Sequence, residues 1–205
     1  MTQDVVLAPG LWMPAIAMAL FTMRLARCGF SPRVFAYQGR SALDGNVERF
    51  ARFVREAVNG RAVHFIGHSL GGVLVLEALN RHADIKVKSA LLIGAPVCGC
   101  LAGRRFGSGT IGRWMMGACC SLWEERSARW RREAPLGVIA GTAPVGLGRV
   151  LYRLPGDNDG VVCVDETTVE GMADRALVPL GHSMLITSGK VTALAERFFA
   201  TGRFA

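Results

Sequence analysis

The sequence predicts a three-layer α/β fold built on about six mostly parallel strands. Short apolar runs alternate along the chain with stretches of helical periodicity. Strands separated by helices need crossover connections, and those give a parallel sheet covered on both faces. The length of 205 residues, 51% of them apolar, suits one domain, 1–205, around a well-filled core. The 25 glycines and 8 prolines are scattered rather than clustered, and no internal repeat or linker is visible.

Each element follows from local pattern. Val5-Val6-Leu7-Ala8 reads as a buried strand ended by Pro9-Gly10. A helix is expected from Pro14, a good first-turn residue, to Cys28, stopped by Gly29. Residues 33–36 read as a second strand. Between Asp44 and Val58, the side chains Val47, Phe50, Ala51, Val54 and Val58 share one helical face; Asp44 is a candidate cap, and Asn59-Gly60 a stop. Residues 62–66 form the third strand, followed by a helix from about Ser69 to His82. Strands are expected at 87–93, 136–140 and 175–178, and a closing helix from Met184 to Phe199. The stretch 97–135 is irregular and is read as an inserted lid or cap.

The chemistry gathers at the ends of these strands, where ligands of parallel sheets bind. Gly67-His68-Ser69-Leu70-Gly71 places a serine on a tight strand-to-helix turn, with glycine two residues away on each side because a side chain there would clash. Composition alone gives about 0.1 such matches by chance, so the strand before it and the helix after it carry the argument. A seryl hydroxyl needs a base. Of the four histidines, His64 lies inside a strand, His68 neighbours the serine with its side chain expected to diverge from it, and His82 ends a helix. His182 follows the last strand and alone satisfies the order Ser, acid, His. The acid is sought on the loop Pro155–Val162, where both Asp159 and Asp157 are candidates; a turn role is the competing explanation for either. An oxyanion would be held by the amides of Leu70 and Leu11, with Trp12, Trp114 and Met115 as candidate pocket walls.

Charge and cysteines bound the remainder. Net charge is +8, and 21 of the 24 basic residues are arginine, without a recognisable nucleic-acid motif, so no nucleic-acid partner is expected. The segment 104–132 mixes tryptophan and methionine with seven arginines. It could touch an anionic membrane peripherally, although a cap packed on the core is the preferred expectation. The absence of a signal-like start or a long apolar stretch makes a cytoplasmic location the expectation, with the six cysteines as reduced thiols. Cys98-x-Cys100 and Cys119-Cys120 lack metal-ligand spacing, so no metal is expected.

With these residues in place the chain resembles the small bacterial α/β-hydrolase fold esterase/lipase family. The likeness runs from Pro9-Gly10-Leu11 through Gly67–Gly71 to Asp159-Gly160-Val161-Val162 and Gly181-His182. Members place the acid just before a Gly-hydrophobic-Val step, which favours Asp159 over Asp157. They commonly carry His-Gly where this chain has Pro9-Gly10. The resemblance implies the minimal three-layer α/β-hydrolase form, without the first two strands of larger enzymes and with a lid at 97–135. It also implies hydrolysis of a small-molecule or lipid carboxylic ester by a Ser69–His182–Asp159 triad through an acyl-enzyme, without cofactor. A thioesterase or acyltransferase using the same triad, or a non-catalytic binding module of the same shape, are the alternatives.

Overall fold

The structure, a computed structural model, describes residues 3–145 and 154–205. Six strands, β1 (Gln3–Ala8), β2 (Phe30–Val34), β3 (Val63–His68), β4 (Val87–Ile93), β5 (Leu136–Gly141) and β6 (Asp174–Val178), form one sheet in the order β2-β1-β3-β4-β5-β6. Every pairing is parallel. The period-two alternation of a strand then sorts side chains to two cores. Val6, Ala8, Phe65, Leu92 and Val138 face one, and Val5, Leu7, Ile66, Ile93 and Ile139 face the other.

Helices cover both faces. On the first, α2 (Leu43–Val58) and α3 (Leu70–Arg81) bury Val47, Phe50, Val54, Val73 and Leu74. On the second, α1 (Ala19–Arg27) and α6 (Gly189–Thr201) bury Phe21, Leu25, Val191, Ala195 and Phe198. Between β4 and β5, the irregular stretch contains α4 (Leu101–Ser108), α5 (Thr110–Met116) and a 3₁₀ segment Gly117–Trp123. No helix among the described residues is long and apolar enough to cross a membrane.

Four expectations need correction at the level of elements. The second strand begins at Phe30 rather than 33, because Gly29 at φ 86° ends α1 and turns the chain straight into the sheet. Pro32 hides this strand in the sequence, and the edge position of β2 tolerates a residue without an N–H. The first helical stretch opens as a 3₁₀ turn, Ala15–Met18. Asp44 does not cap α2; its cap position is Ala42, and the Asp44 carboxylate accepts instead from Arg81 (2.6 Å). The closing helix starts at Gly189, since Leu185 and Ile186 are buried as part of the second core rather than as helical residues. Asn59, at φ 47°, does end α2 in the left-handed conformation. His64 is fully partnered, with Ser89 Oγ at 2.7 Å and Gln3 Oε1 at 2.9 Å.

Phe50 anchors the first core: it is fully buried and meets Phe35 edge-on at 5.3 Å between ring centroids, with Phe65 at 6.2 Å. Replacing it by alanine removes these contacts and leaves a cavity, so Phe50→Ala is expected to lose about 3–5 kcal/mol, measured by urea denaturation.

Candidate active site

The strand β3 runs into α3 through one residue of unusual backbone. Ser69 has φ 53° and ψ −125°, a conformation that L side chains rarely adopt. It is held there by its own N–H, which donates to Ile93 O (2.9 Å), and by its carbonyl, which accepts from Gly72 N (2.9 Å). Three glycines make room. A Cβ on Gly67 would sit 2.4 Å from Gly72 Cα, and one on Gly71 would sit 2.1 Å from Ala8 O. Gly72, which the sequence pattern left unexplained, packs against Ala95, whose Cβ would lie 2.3 Å from a Cβ there. Two of the three non-glycine residues with positive φ among the described residues, Ser69 and Trp12, belong to this corner; the third is the helix stop Asn59.

His182 stands on the turn after β6 and faces the same corner. A Cβ on Gly94, the residue after Ile93, would lie 3.3 Å from His182 Nδ1 and 3.2 Å from Asp159 Oδ2. His182 and Asp159 are joined twice. The imidazole Nδ1 is 2.7 Å from Asp159 Oδ2, and the His182 amide donates to Asp159 O (2.9 Å). The other carboxylate oxygen accepts from Val161 N (3.0 Å) and Val162 N (2.8 Å). Asp159 is only 1% exposed, and these three donors compensate the burial of its charge. Gly141, at the end of β5, admits it: a Cβ there would lie 2.7 Å from Asp159 Cβ. Asp157 is exposed, and its backbone carbonyl accepts from Val164 N (2.8 Å). With Nδ1–H donated to the carboxylate, Nε2 of His182 is the acceptor nitrogen. Among the described residues no hydrogen bond joins the Ser69 hydroxyl to His182.

The amides proposed for an oxyanion lie on the two strand ends beside Ser69. Leu70 opens α3, so its N–H has no intrahelical acceptor. Leu11 follows β1, and its side chain and that of Leu70 converge on Gly39, whose Cβ would be 3.0 and 3.3 Å from them. The Tyr37 hydroxyl donates to Pro9 O (2.7 Å), tying this loop to the chain after β2. Of the candidate pocket walls, Trp12 donates from Nε1 to Met115 O (3.1 Å) and meets Phe106 edge-on, so it joins the β1 loop to α5. Trp114 instead stands out into solvent with the Arg40 guanidinium over its ring at 5.4 Å.

Two ionisable residues without an assigned role in the sequence gain one here. His68 is buried and its ring packs on that of His182, centroids 4.9 Å apart. Its Nε2 lies 3.3 Å from His182 O, while Nδ1 has no partner among the described residues. Burial, reinforced by the neighbouring His182, pushes its pKa down to about 3, so it stays neutral. Glu166 ties the start of α4 to the loop that carries Asp159: one oxygen accepts from Leu101 N (2.6 Å), the other from Cys163 N (2.8 Å). Neither role has a signal in the sequence, because both depend on contacts between distant segments.

A family model described as the alpha/beta hydrolase fold matches residues 29–102, which include β3, Ser69 and α3. The lipase BlEst2 of Bacillus licheniformis, in its mature form, superposes with a TM-score of 0.78 at 16% identity over 97% of this chain and 91% of that one. The chain has the alpha/beta hydrolase fold. Other structures with this fold include the metagenomic carboxyl esterase MGS0156 (TM-score 0.66, 19% identity, 88% of this chain and 64% of that one). The RedJ thioesterase of the prodiginine pathway of Streptomyces coelicolor is similar as well (TM-score 0.60, 14% identity, 97% and 88%). A search of curated proteins finds no match.

The glycine corner generates a paired prediction. Gly71→Ala drives a methyl group into the Ala8 carbonyl and is expected to cost more than about 3 kcal/mol, or to prevent folding. Gly45→Ala, inside α2 with nothing near its Cβ, is expected to be neutral or to stabilise by up to about 1 kcal/mol. Thermal denaturation of the two variants side by side checks both.

Proposed function

We propose that the protein is a serine hydrolase of carboxylic esters. The observation that carries this reading is the short Nδ1–Oδ2 pair of His182 and buried Asp159, at the end of the sheet where Ser69 is held in a strained turn. In the proposed reaction His182 Nε2 takes the Ser69 Oγ proton as the oxygen attacks the ester carbonyl carbon. The carbonyl π electrons move to oxygen, and the amides of Leu11 and Leu70 stabilise that charge. The C–O bond to the alcohol then breaks, and His182 returns the proton to the leaving oxygen, leaving an acyl group on Ser69. Water, deprotonated by the same imidazole, attacks the acyl carbon; Ser69 leaves with the proton, and the acid is released. Asp159 holds the ring in the tautomer that keeps Nε2 free and stabilises the imidazolium formed twice per cycle. His68 stays neutral beside it and adds no second positive charge to the cleft.

The same residues would process a thioester, and RedJ, a thioesterase, is among the similar structures. The acyl-enzyme is common to both chemistries. Rates on oxygen esters and thioesters of the same acyl group distinguish them, the proposed reading requiring the oxygen ester to turn over.

A fluorophosphonate probe is expected to label the wild-type chain on Ser69, and Ser69→Ala is expected to lose labelling. Equal labelling of the variant would remove Ser69 from the reaction. Asp159→Asn leaves the shape of the site but reverses the hydrogen-bond demand on His182 Nδ1. It is expected to lower kcat on a p-nitrophenyl ester by roughly 10³–10⁴-fold with the fold intact by circular dichroism.

A further inference from the structure

We propose that the rim of the Ser69 cleft is a docking surface for an anionic lipid bilayer. The rim is built from segments that follow the carboxyl ends of different strands, and each leaves a large apolar side chain in solvent. Trp12 follows β1, Ile111 and Trp114 lie between β4 and β5, Val145 follows β5, and Met184 follows β6. Ile111 is 74% exposed and Trp114 71%. Such side chains are ordinarily scattered singly; here they follow the carboxyl ends of four strands of one sheet.

Contacts tie the two sides of the opening to the reactive corner. Trp12 Nε1–H donates to Met115 O, so the β1 loop and α5 form one surface. On the far side Val145 lies against Gly181, whose Cβ position is 3.2 Å from Val145 O, beside His182.

Charge selects the occupant. On α5 itself the sequence holds Arg113 and no acid. Arg113 is exposed on α5 between Ile111 and Trp114, and Arg40 lies over the Trp114 ring. The acids nearest along the chain, Glu124 and Glu125, are drawn to Arg104 instead. Tryptophan and apolar side chains interleaved with arginine suit the interface of a bilayer, where rings sit at headgroup level and guanidinium groups meet anionic phosphates. Arg113 and Arg40 supply the positive charge beside the exposed rings, and the net charge of +8 extends the attraction beyond the rim. The docking itself does not depend on the reading of the site. Its consequence, that the substrate is an acyl ester of the bilayer, rests on that reading.

The test uses the full chain carrying Ser69→Ala, so that binding is measured without turnover. Co-sedimentation with phosphatidylcholine vesicles is compared with co-sedimentation with vesicles of phosphatidylcholine and phosphatidylglycerol. Binding is expected to be roughly tenfold stronger to the anionic vesicles, to fall with added salt, and to drop by roughly tenfold when Ile111→Asn and Arg113→Glu are introduced together. The same pair of changes in a chain with Ser69 intact is expected to leave turnover of a water-soluble short-chain ester unchanged, which shows that the fold and the reactive centre survive. Equal binding to both vesicle types, or binding insensitive to the paired substitution, would overturn the docking surface. So would a concentration-dependent dimer that Ile111→Asn abolishes, without vesicle binding, since a second copy of the chain would then be the occupant. Vesicle binding that meets these expectations, in a chain that shows neither probe labelling nor ester turnover, would uphold the docking surface and overturn the esterase reading alone.

Discussion

The site depends on how closely β1, β3 and α3 approach one another at the Ser69 turn. Backbone atoms pack where side chains would ordinarily stand: Gly71 lies under the Ala8 carbonyl and Gly67 against Gly72. That approach brings the Ser69 amide to Ile93 O, fixes the first turn of α3, and sets the Leu70 amide beside the loop after β1. Positive φ at a serine costs of order 1–3 kcal/mol, and it persists only because the surrounding sheet and helix over-determine it. The sheet is suited to this task. The carboxyl-terminal residues of β1, β3, β4 and β5 are buried on both faces, so these ends cannot shift without disturbing two cores.

This corner was legible in the sequence because its cause is local. A glycine two residues to either side of Ser69 records a steric requirement within one turn, and the apolar run before it records a buried strand. The pairing of Asp159 with His182 was legible only as an order along the chain. Its geometry depends on Gly94 and Gly141, which leave space behind the imidazole and carboxylate and which lie 65 and 18 residues before Asp159. Nothing in the local pattern marks either glycine. β2 was misplaced for a different reason: an edge strand accepts Pro32, so the residue that should argue against a strand is harmless there. α6 starts later than its apolar spacing indicates, because buried Leu185 and Ile186 have the spacing of a helix but pack in the second core beside the His182 turn.

Buried polar groups around the corner are nearly all compensated. Asp159 has three donors, and Glu166 two backbone amides. Desolvation still raises the Glu166 pKa, so its two amides only partly offset burial. His68 Nδ1 is the exception, without a partner in the interior. An uncharged ring tolerates this where an imidazolium would not, and the same burial that strips the nitrogen of partners keeps the ring neutral.

The segment between β4 and β5 resolves two roles that composition alone had set against each other. Met116, Cys119, Trp123 and Trp130 are buried in the first core. Ile111 and Trp114, on α5, face solvent. A helix as short as α5 could not hold such an arrangement by its own propensity. It is held by its neighbours: Gly112 sits so close to Phe106 that a Cβ would fall 1.8 Å from its carbonyl oxygen, and Trp12 bonds Met115 from below. The residues that anchor the cap are therefore also those that fix the direction of its exposed side chains. Ile111 and Trp114 thus stand in water on a helix whose position its neighbours fix.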